Sequence, residues 1–155
     1  MMQIEWEIKS FKELNTDGLY EILKLRVDVF VVEQRCPYPE IDDLDRHQKT
    51  LHLIGKNTDG KIVAYLRILP PGLSFKHVSM GRVVVAKKNR GHGISDAMLK
   101  VALDQISRIW PDEKIMIAAQ VYLKEFYESH GFESASQSYL EDKIPHIDMI
   151  RKDSF

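Results

Sequence analysis

A chain of 155 residues, 44% of them hydrophobic, is long enough for one domain around one core. Lysine plus arginine number 22 against 23 carboxylates, a net charge of −1, so no global field draws the chain to nucleic acid or to a membrane. The one thiol, Cys36, excludes an intramolecular disulfide and suits the reducing cytoplasm, and no apolar run approaches the ~20 residues of a bilayer span.

The N-terminal run Met1-Met-Gln-Ile-Glu-Trp-Glu-Ile8 carries carboxylates where a secretory leader needs a basic and then an apolar stretch. Within it Ile4, Trp6 and Ile8 alternate with polar residues and predict a first strand. Asn15, Thr16 and Asp17 are candidate caps for a helix running to about Val32, with Leu19, Ile22, Leu23, Val27 and Phe30 on its core face. Arg26 falls in the middle of that face. A guanidinium cannot discharge, so it must find a carboxylate or snorkel out, and Glu33, two turns on, is the nearest candidate.

From Glu33 to Arg46 two prolines exclude regular structure, and Glu40, Asp42, Asp43 and Asp45 make the segment acidic. A solvated loop is one reading. The other is an anionic rim, anchored by Cys36, Tyr38, Ile41 and Leu44, that would receive a cationic substrate such as an amine. Thr50 to Lys56 and Lys61 to Leu69 then predict a hairpin across Asn57-Thr-Asp-Gly60.

The stretch from Ser79 to Met98 carries the clearest chemical signal. A strand ending in Val83, Val84 and Val85 breaks into a glycine-containing loop, and a helix follows with Ile94, Met98, Ala102 and Ile106 on one face. Such a turn leaves backbone N–H groups at the positive end of a helix dipole, beside Arg82, Lys87, Lys88 and Arg90. That combination suits an anion, most naturally a phosphate. Gly91-His-Gly93-Ile-Ser-Asp96 lacks the last glycine of a dinucleotide fingerprint, and no Gly-Lys-Ser/Thr completes a Walker loop. On the residues alone, an ordinary loop with solvated lysines is an equal alternative.

Ile115 to Ala119 reads as a buried strand, a helix follows from about Val121 to a cap at Gly131, and Phe132–Tyr139 and His146–Arg151 supply two last strands of a mixed α/β sheet. Tyr127 lies on a core stripe with Leu123 and Phe126. The six histidines show no paired ligand spacing and no cysteine cluster joins them, so no metal site is expected.

Arg90-Gly-His-Gly93-Ile-Ser95 resembles the Arg/Gln-x-x-Gly-x-Gly/Ala element of the GNAT superfamily of N-acetyltransferases, with Ser95 at its last position. Leu25-Arg-Val-Asp-Val-Phe-Val-Val-Glu-Gln-Arg-Cys-Pro-Tyr38, then Glu40, Asp42, Asp45 and His52, and finally Glu141-Asp-Lys-Ile-Pro-His146, are similar to the ElaA-type branch, where a glycine usually stands at the position of Lys143. The resemblance spans essentially the whole chain. It implies a single GNAT domain over residues 1–155, with a mixed, mostly antiparallel sheet, a splayed parallel pair and helices on both faces.

It also implies transfer of an acetyl group from acetyl-CoA to a primary amine, on a small molecule or a protein, by direct attack in a ternary complex. The main chain of Val83, Val84 and Val85 would hold the pantetheine arm, and the amides of Gly91, His92, Gly93, Ile94 and Ser95, with Arg90, the pyrophosphate. Gln120 falls at the position of the family's asparagine, and Tyr127 matches the tyrosine that protonates the departing thiolate. Strand 79–86 has no carboxylate to serve as base, which leaves Glu33 as the catalytic candidate and Asp42, Asp45, His52 and His146 as acceptor contacts or replacements. Two other readings stay open: an acyltransferase like the acyl-homoserine-lactone synthases, using longer donors, and a non-catalytic acyl-CoA-binding module. Edge strands near the C-terminus could pair across a homodimer.

Overall fold

The structure, a computed structural model, describes residues 3–152; the two methionines that open the N-terminal run lie outside the described residues. One sheet runs in the order β1-β2-β3-β4-β5-β8-β6, with β7 also on β8. Its strands are β1 (Glu5–Lys9), β2 (Leu51–Lys56), β3 (Ile62–Leu69), β4 (Val78–Val85), β5 (Ile115–Gln120), β6 (Glu133–Ser134), β7 (Tyr139–Glu141) and β8 (Ile144–Arg151). All neighbours are antiparallel except β4 and β5.

That parallel pair joins only Val78 to Ile115 and Ser79 to Met116 before the strands part, which opens a split toward their C-terminal ends. Between β3 and β4 the register slips by one residue, and Arg82, in the extra position, takes a left-handed φ of 53°. Such a bulge re-aims the side chain that it carries.

Helices cover both faces. On one, α2 (Ile94–Ile109) lays Ile94, Met98, Leu99, Ala102 and Ile106 against Leu66, Ile68, Ile117 and Met149, joined by Tyr127 and Phe132 from the region of α3 (Lys124–Glu128). On the other, α1 (Thr16–Arg26) packs Ile22 and Leu25 on Ile54, Tyr65 and Val84. Asn15 caps α1, its Oδ1 accepting from the Gly18 amide at 2.7 Å.

The buried stripe of α1 differs from the predicted one. Ile22, Leu25, Arg26 and Val29 are buried, while Leu19, Leu23, Val27 and Phe30 lie at the margin. Arg26 sits at the centre of the stripe because buried carboxylates hold it there. Beyond it the helix continues to Glu33 with π-helical bonding, as in the bond from the Gln34 amide to the Val29 carbonyl at 3.0 Å.

The predicted strand 132–139 is instead two short strands, β6 and β7, laid end to end along β8. The tight turn from β7 to β8 puts Asp142 and Lys143 at φ 50° and 67°, so Lys143 adopts the left-handed geometry in which a glycine sits more easily.

Candidate active site

Past β4, a short turn at Lys87–Asn89 leads to Gly91 and Gly93, at φ 84° and 74°, and straight into α2. Gly93 is the N-cap and brings no side chain to cap the helix, so the first-turn amides face a cleft lined by Val85, Arg90, Gly91, Gly93, Ser95 and Phe126. A Cβ built at either glycine meets nothing within 4 Å. The glycines are therefore required by backbone conformation, and the space beside them is open to a ligand. His92 is exposed and does not line the cleft.

Arg90 stands at the mouth. Its Nε donates to the Val85 carbonyl at 3.1 Å, and its two terminal nitrogens donate to both oxygens of Glu33 at 2.7 and 3.0 Å. This corrects the expected pairing of Glu33 with Arg26. The bond from Arg90 holds the Glu33 carboxyl below its ordinary range, and Glu33 in turn raises Arg90. A carboxylate held ionised by a cation is a poor proton acceptor, so its placement suits Glu33 to orienting Arg90.

The acidic segment departs most from expectation. Arg26, fully buried, donates from Nε to Glu40 at 2.6 Å and from a terminal nitrogen to Asp45 at 2.8 Å, with the guanidinium 5.5 Å from the centre of the Tyr65 ring. Arg67 binds Asp42 at 2.7 Å and Asp45 at 3.0 Å. The bulge turns Arg82 onto this face, away from the cleft, to bond Glu40 at 2.9 Å and lie over Tyr38, whose hydroxyl also bonds Glu40. Three arginines thus meet Glu40, Asp42 and Asp45, and a buried, neutralised cluster replaces the anionic rim.

Within that cluster Asp45 is buried and held by two arginines. His52 is 1% exposed, with one ring nitrogen 2.7 Å from the Tyr65 hydroxyl and the other 3.0 Å from the Asp45 carbonyl oxygen. Neither has surface to offer an acceptor, because the arginines pulled the segment inward. Asp42 is half-buried; burial pushes its carboxyl up, and the hydrogen bonding of Arg67 together with the charges of Arg67, Arg82 and Arg26 overcomes this and holds it low.

Val85 lines the cleft, Val83 is half-buried, and Val84 packs under α1 on the opposite face. Gln120, at the end of β5, exchanges amide hydrogen bonds of 3.3 Å with Gln34 across the mouth of the split. Tyr127 is 5% exposed, edge-on to Phe126 at 5.2 Å and Phe132 at 5.8 Å, and burial raises its pKa. Phe126 lines the cleft and Tyr127 does not. His146 faces β7, stacked on Tyr139. Cys36 is buried, its thiol 3.3 Å from the Asp142 carbonyl oxygen.

Sequence reasoning missed Arg67, Arg82 and Glu40 as one network. A signal existed, since Arg67 interrupts the apolar run Ile62–Leu69 as Arg26 interrupts its helix face. It also missed Gln34 and Phe126, which became visible only once β5 and α3 were placed.

A cleft at a glycine-turned helix start, opening onto a split between two parallel strands, suits a phosphate-bearing donor carried through a sheet. Residues 24–152 match the family model described as "Acetyltransferase (GNAT) domain", and the chain belongs to that family, in its ElaA-type branch. It is 40% identical to Protein ElaA of Escherichia coli strain K12 over 149 residues, covering 96% of this chain and 97% of that protein. The crystal structure of Escherichia coli ElaA superposes with a TM-score of 0.90, at 39% identity over 96% of this chain and 99% of that one. A structure described as an acyl-CoA N-acyltransferase from Pseudomonas aeruginosa gives 0.91 at 41% identity, with the same coverage.

Proposed function

We propose that the protein transfers the acetyl group of acetyl-CoA to a primary amine by direct attack in a ternary complex. The observation that carries this reading is the cleft at Arg90–Ser95, with its two left-handed glycines and uncapped helix start, set at the open end of the β4–β5 split. The amides of Gly91, His92, Gly93, Ile94 and Ser95 and the guanidinium of Arg90 would hold the diphosphate, and the inner edge of Val83–Val85 would align the pantetheine arm. Bound there, acetyl-CoA supplies an activated thioester.

The chain's own task is then to orient, deprotonate and stabilise, which needs no covalent nucleophile. Tyr127, a weak acid made weaker by burial, is suited to giving a proton to a departing thiolate and to staying protonated until then. Gln120 and its partner Gln34 bound the split on the side from which an acceptor would come. A small cationic amine or a protein amine fits this chemistry, and the single buried thiol accords with a cytoplasmic setting.

The test is a thiol-release screen of amines against donors from acetyl-CoA to octanoyl-CoA, with acetyl-CoA binding measured by calorimetry. Acetyl-CoA should bind, and at least one amine should release thiol fastest with the acetyl donor. A chain that binds no acyl-CoA, or turns over only the long donors, defeats the proposal.

A further inference from the structure

Helix α1 packs on β2, β3 and β4; on the same face beyond it Met116, Gln120, Asp148 and Ile150 are half-buried and His146 is 8% exposed. Ile115, Ile117 and Ala119 point into the core under α2, so Met116, Ala118 and Gln120 point the other way, and Ala118, past the point where β4 leaves β5, is exposed. Register places Asp148 opposite Ala118, His146 opposite Gln120, and Tyr139 opposite His146 from the far side. Gln34 and Gln120 therefore meet beside the β4–β5 split, with His146 across from Gln120 and Tyr139 and Asp148 next to it.

We infer that His146 is the general base that deprotonates the acceptor amine beside the β4–β5 split, an assignment that rests on the transferase reading above. Its Nδ1 lies 2.7 Å from the carbonyl oxygen of Ile144, which can only accept, so Nδ1 carries the proton and Nε2 of the neutral ring carries the lone pair. Nε2 is 3.5 Å from Glu141 Oε2, longer than a well-formed hydrogen bond between these atoms, so the lone pair is not committed there. Glu141 instead faces the positive charge that arrives with a proton.

Tyr139 stacks on the ring at 6.2 Å between centroids and 23°, and its hydroxyl donates to Asp148 at 2.6 Å. The ionisable groups that face His146 are thus Glu141 and Tyr139 of β7 and Asp148 two residues along β8, with Cys36 approaching the same hairpin at Asp142.

The other candidates are engaged. Glu33 binds Arg90, Glu40, Asp42 and Asp45 bind three arginines, and both ring nitrogens of His52 are occupied. An alkylammonium ion beside the split gives one proton to Nε2, breaking an N–H bond and forming another. The freed amine forms the C–N bond to the acyl carbon as the C–S bond breaks. The surplus proton on nitrogen replaces the one that Tyr127 gives to sulfur, and His146 releases its own to solvent. Ammonium and thioester become amide, thiol and one proton.

Two substitutions test this. H146N keeps an N–H donor for the Ile144 carbonyl and deletes Nε2, and H146F keeps the ring on Tyr139. Both should lower kcat by about 10²–10³-fold and lose the limb of kcat/KM that rises with pH, while the Kd for acetyl-CoA stays within about twofold. Nitrogen NMR of the histidine-labelled resting protein should show His146 as the Nδ1–H tautomer. A variant that keeps the wild-type rate and limb, or the opposite tautomer, overturns the assignment and leaves the transferase reading standing. Wild-type protein that fails to bind acetyl-CoA, or binds it and releases thiol to no amine, overturns both.

Discussion

Arginine is used in opposite ways in two places barely a strand apart. Beneath residues 38–45, Arg26, Arg67 and Arg82 are matched by Glu40, Asp42 and Asp45, with Tyr38, Tyr65 and His52 completing the bonds. At the start of α2, Arg90 stands half-exposed at a cleft, held by one surface carboxylate, with Lys87 and Lys88 in solvent. In the first place charge is closed on itself and ties a loop with two prolines to a sheet. In the second, backbone donors and cations are left facing outward. A local excess of one sign in the sequence does not distinguish the two, because what matters is whether opposite charges fold onto it.

The largest expected effect is at the closed cluster. R26M leaves Glu40 and Asp45 buried without their cation, and urea unfolding should show a loss of about 3–5 kcal/mol. A loss under about 1 kcal/mol would mean that the cluster is wet and loosely held. At the open site, G93V forces a β-branched residue to φ 74° at the lip of the cleft. Its Kd for CoA should rise at least tenfold, about 1.4 kcal/mol, and an unchanged Kd in calorimetry removes the cradle from donor binding.

Acid should act on the closed cluster first. Burial lowers the His52 pKa from 6.5, so below that value the unfolded chain binds a proton that the folded one refuses, and stability falls as pH drops from 6.5 toward the lower folded value. Asp42, held below 3.8, extends the loss as pH falls through and beneath that value. Urea midpoints measured from pH 7 to pH 3 should decline in that order, and H52Q should flatten the upper part. Midpoints flat between pH 7 and pH 5 in the wild type contradict a buried neutral His52.

The smallest effect is expected for E33Q. The pair with Arg90 is partly exposed, so stability should change by less than about 1 kcal/mol. The rate of thiol release should stay within about threefold, whereas loss of a true base would lower it about a hundredfold or more. A collapse in rate would return the base to Glu33.

Much of the fold was legible because its signals are local. The hairpin at Asn57–Gly60, the apolar face of α2 and the cap at Gly131 each depend on residues within a few positions of one another, and each formed where periodicity and turn chemistry placed it. The glycine turn ahead of α2 was legible for the same reason, since strand, turn and helix start are contiguous in the chain. Errors came where partners lie far apart. Arg26 was assigned to Glu33, seven residues away, and it binds Glu40 and Asp45, which a proline-bearing loop returns to it.

By itself the sequence determined most of the strands and helices, that a glycine turn would lead from β4 into an uncapped helix start, and that a charged side chain had to be accommodated beneath α1. Tertiary structure alone decided which carboxylates are neutralised and that His146 stands opposite Gln120. Secondary structure follows from backbone geometry and side-chain spacing over a few residues. The protonation and reach of an ionisable group follow from its neighbours in space, and only the assembled sheet selects those.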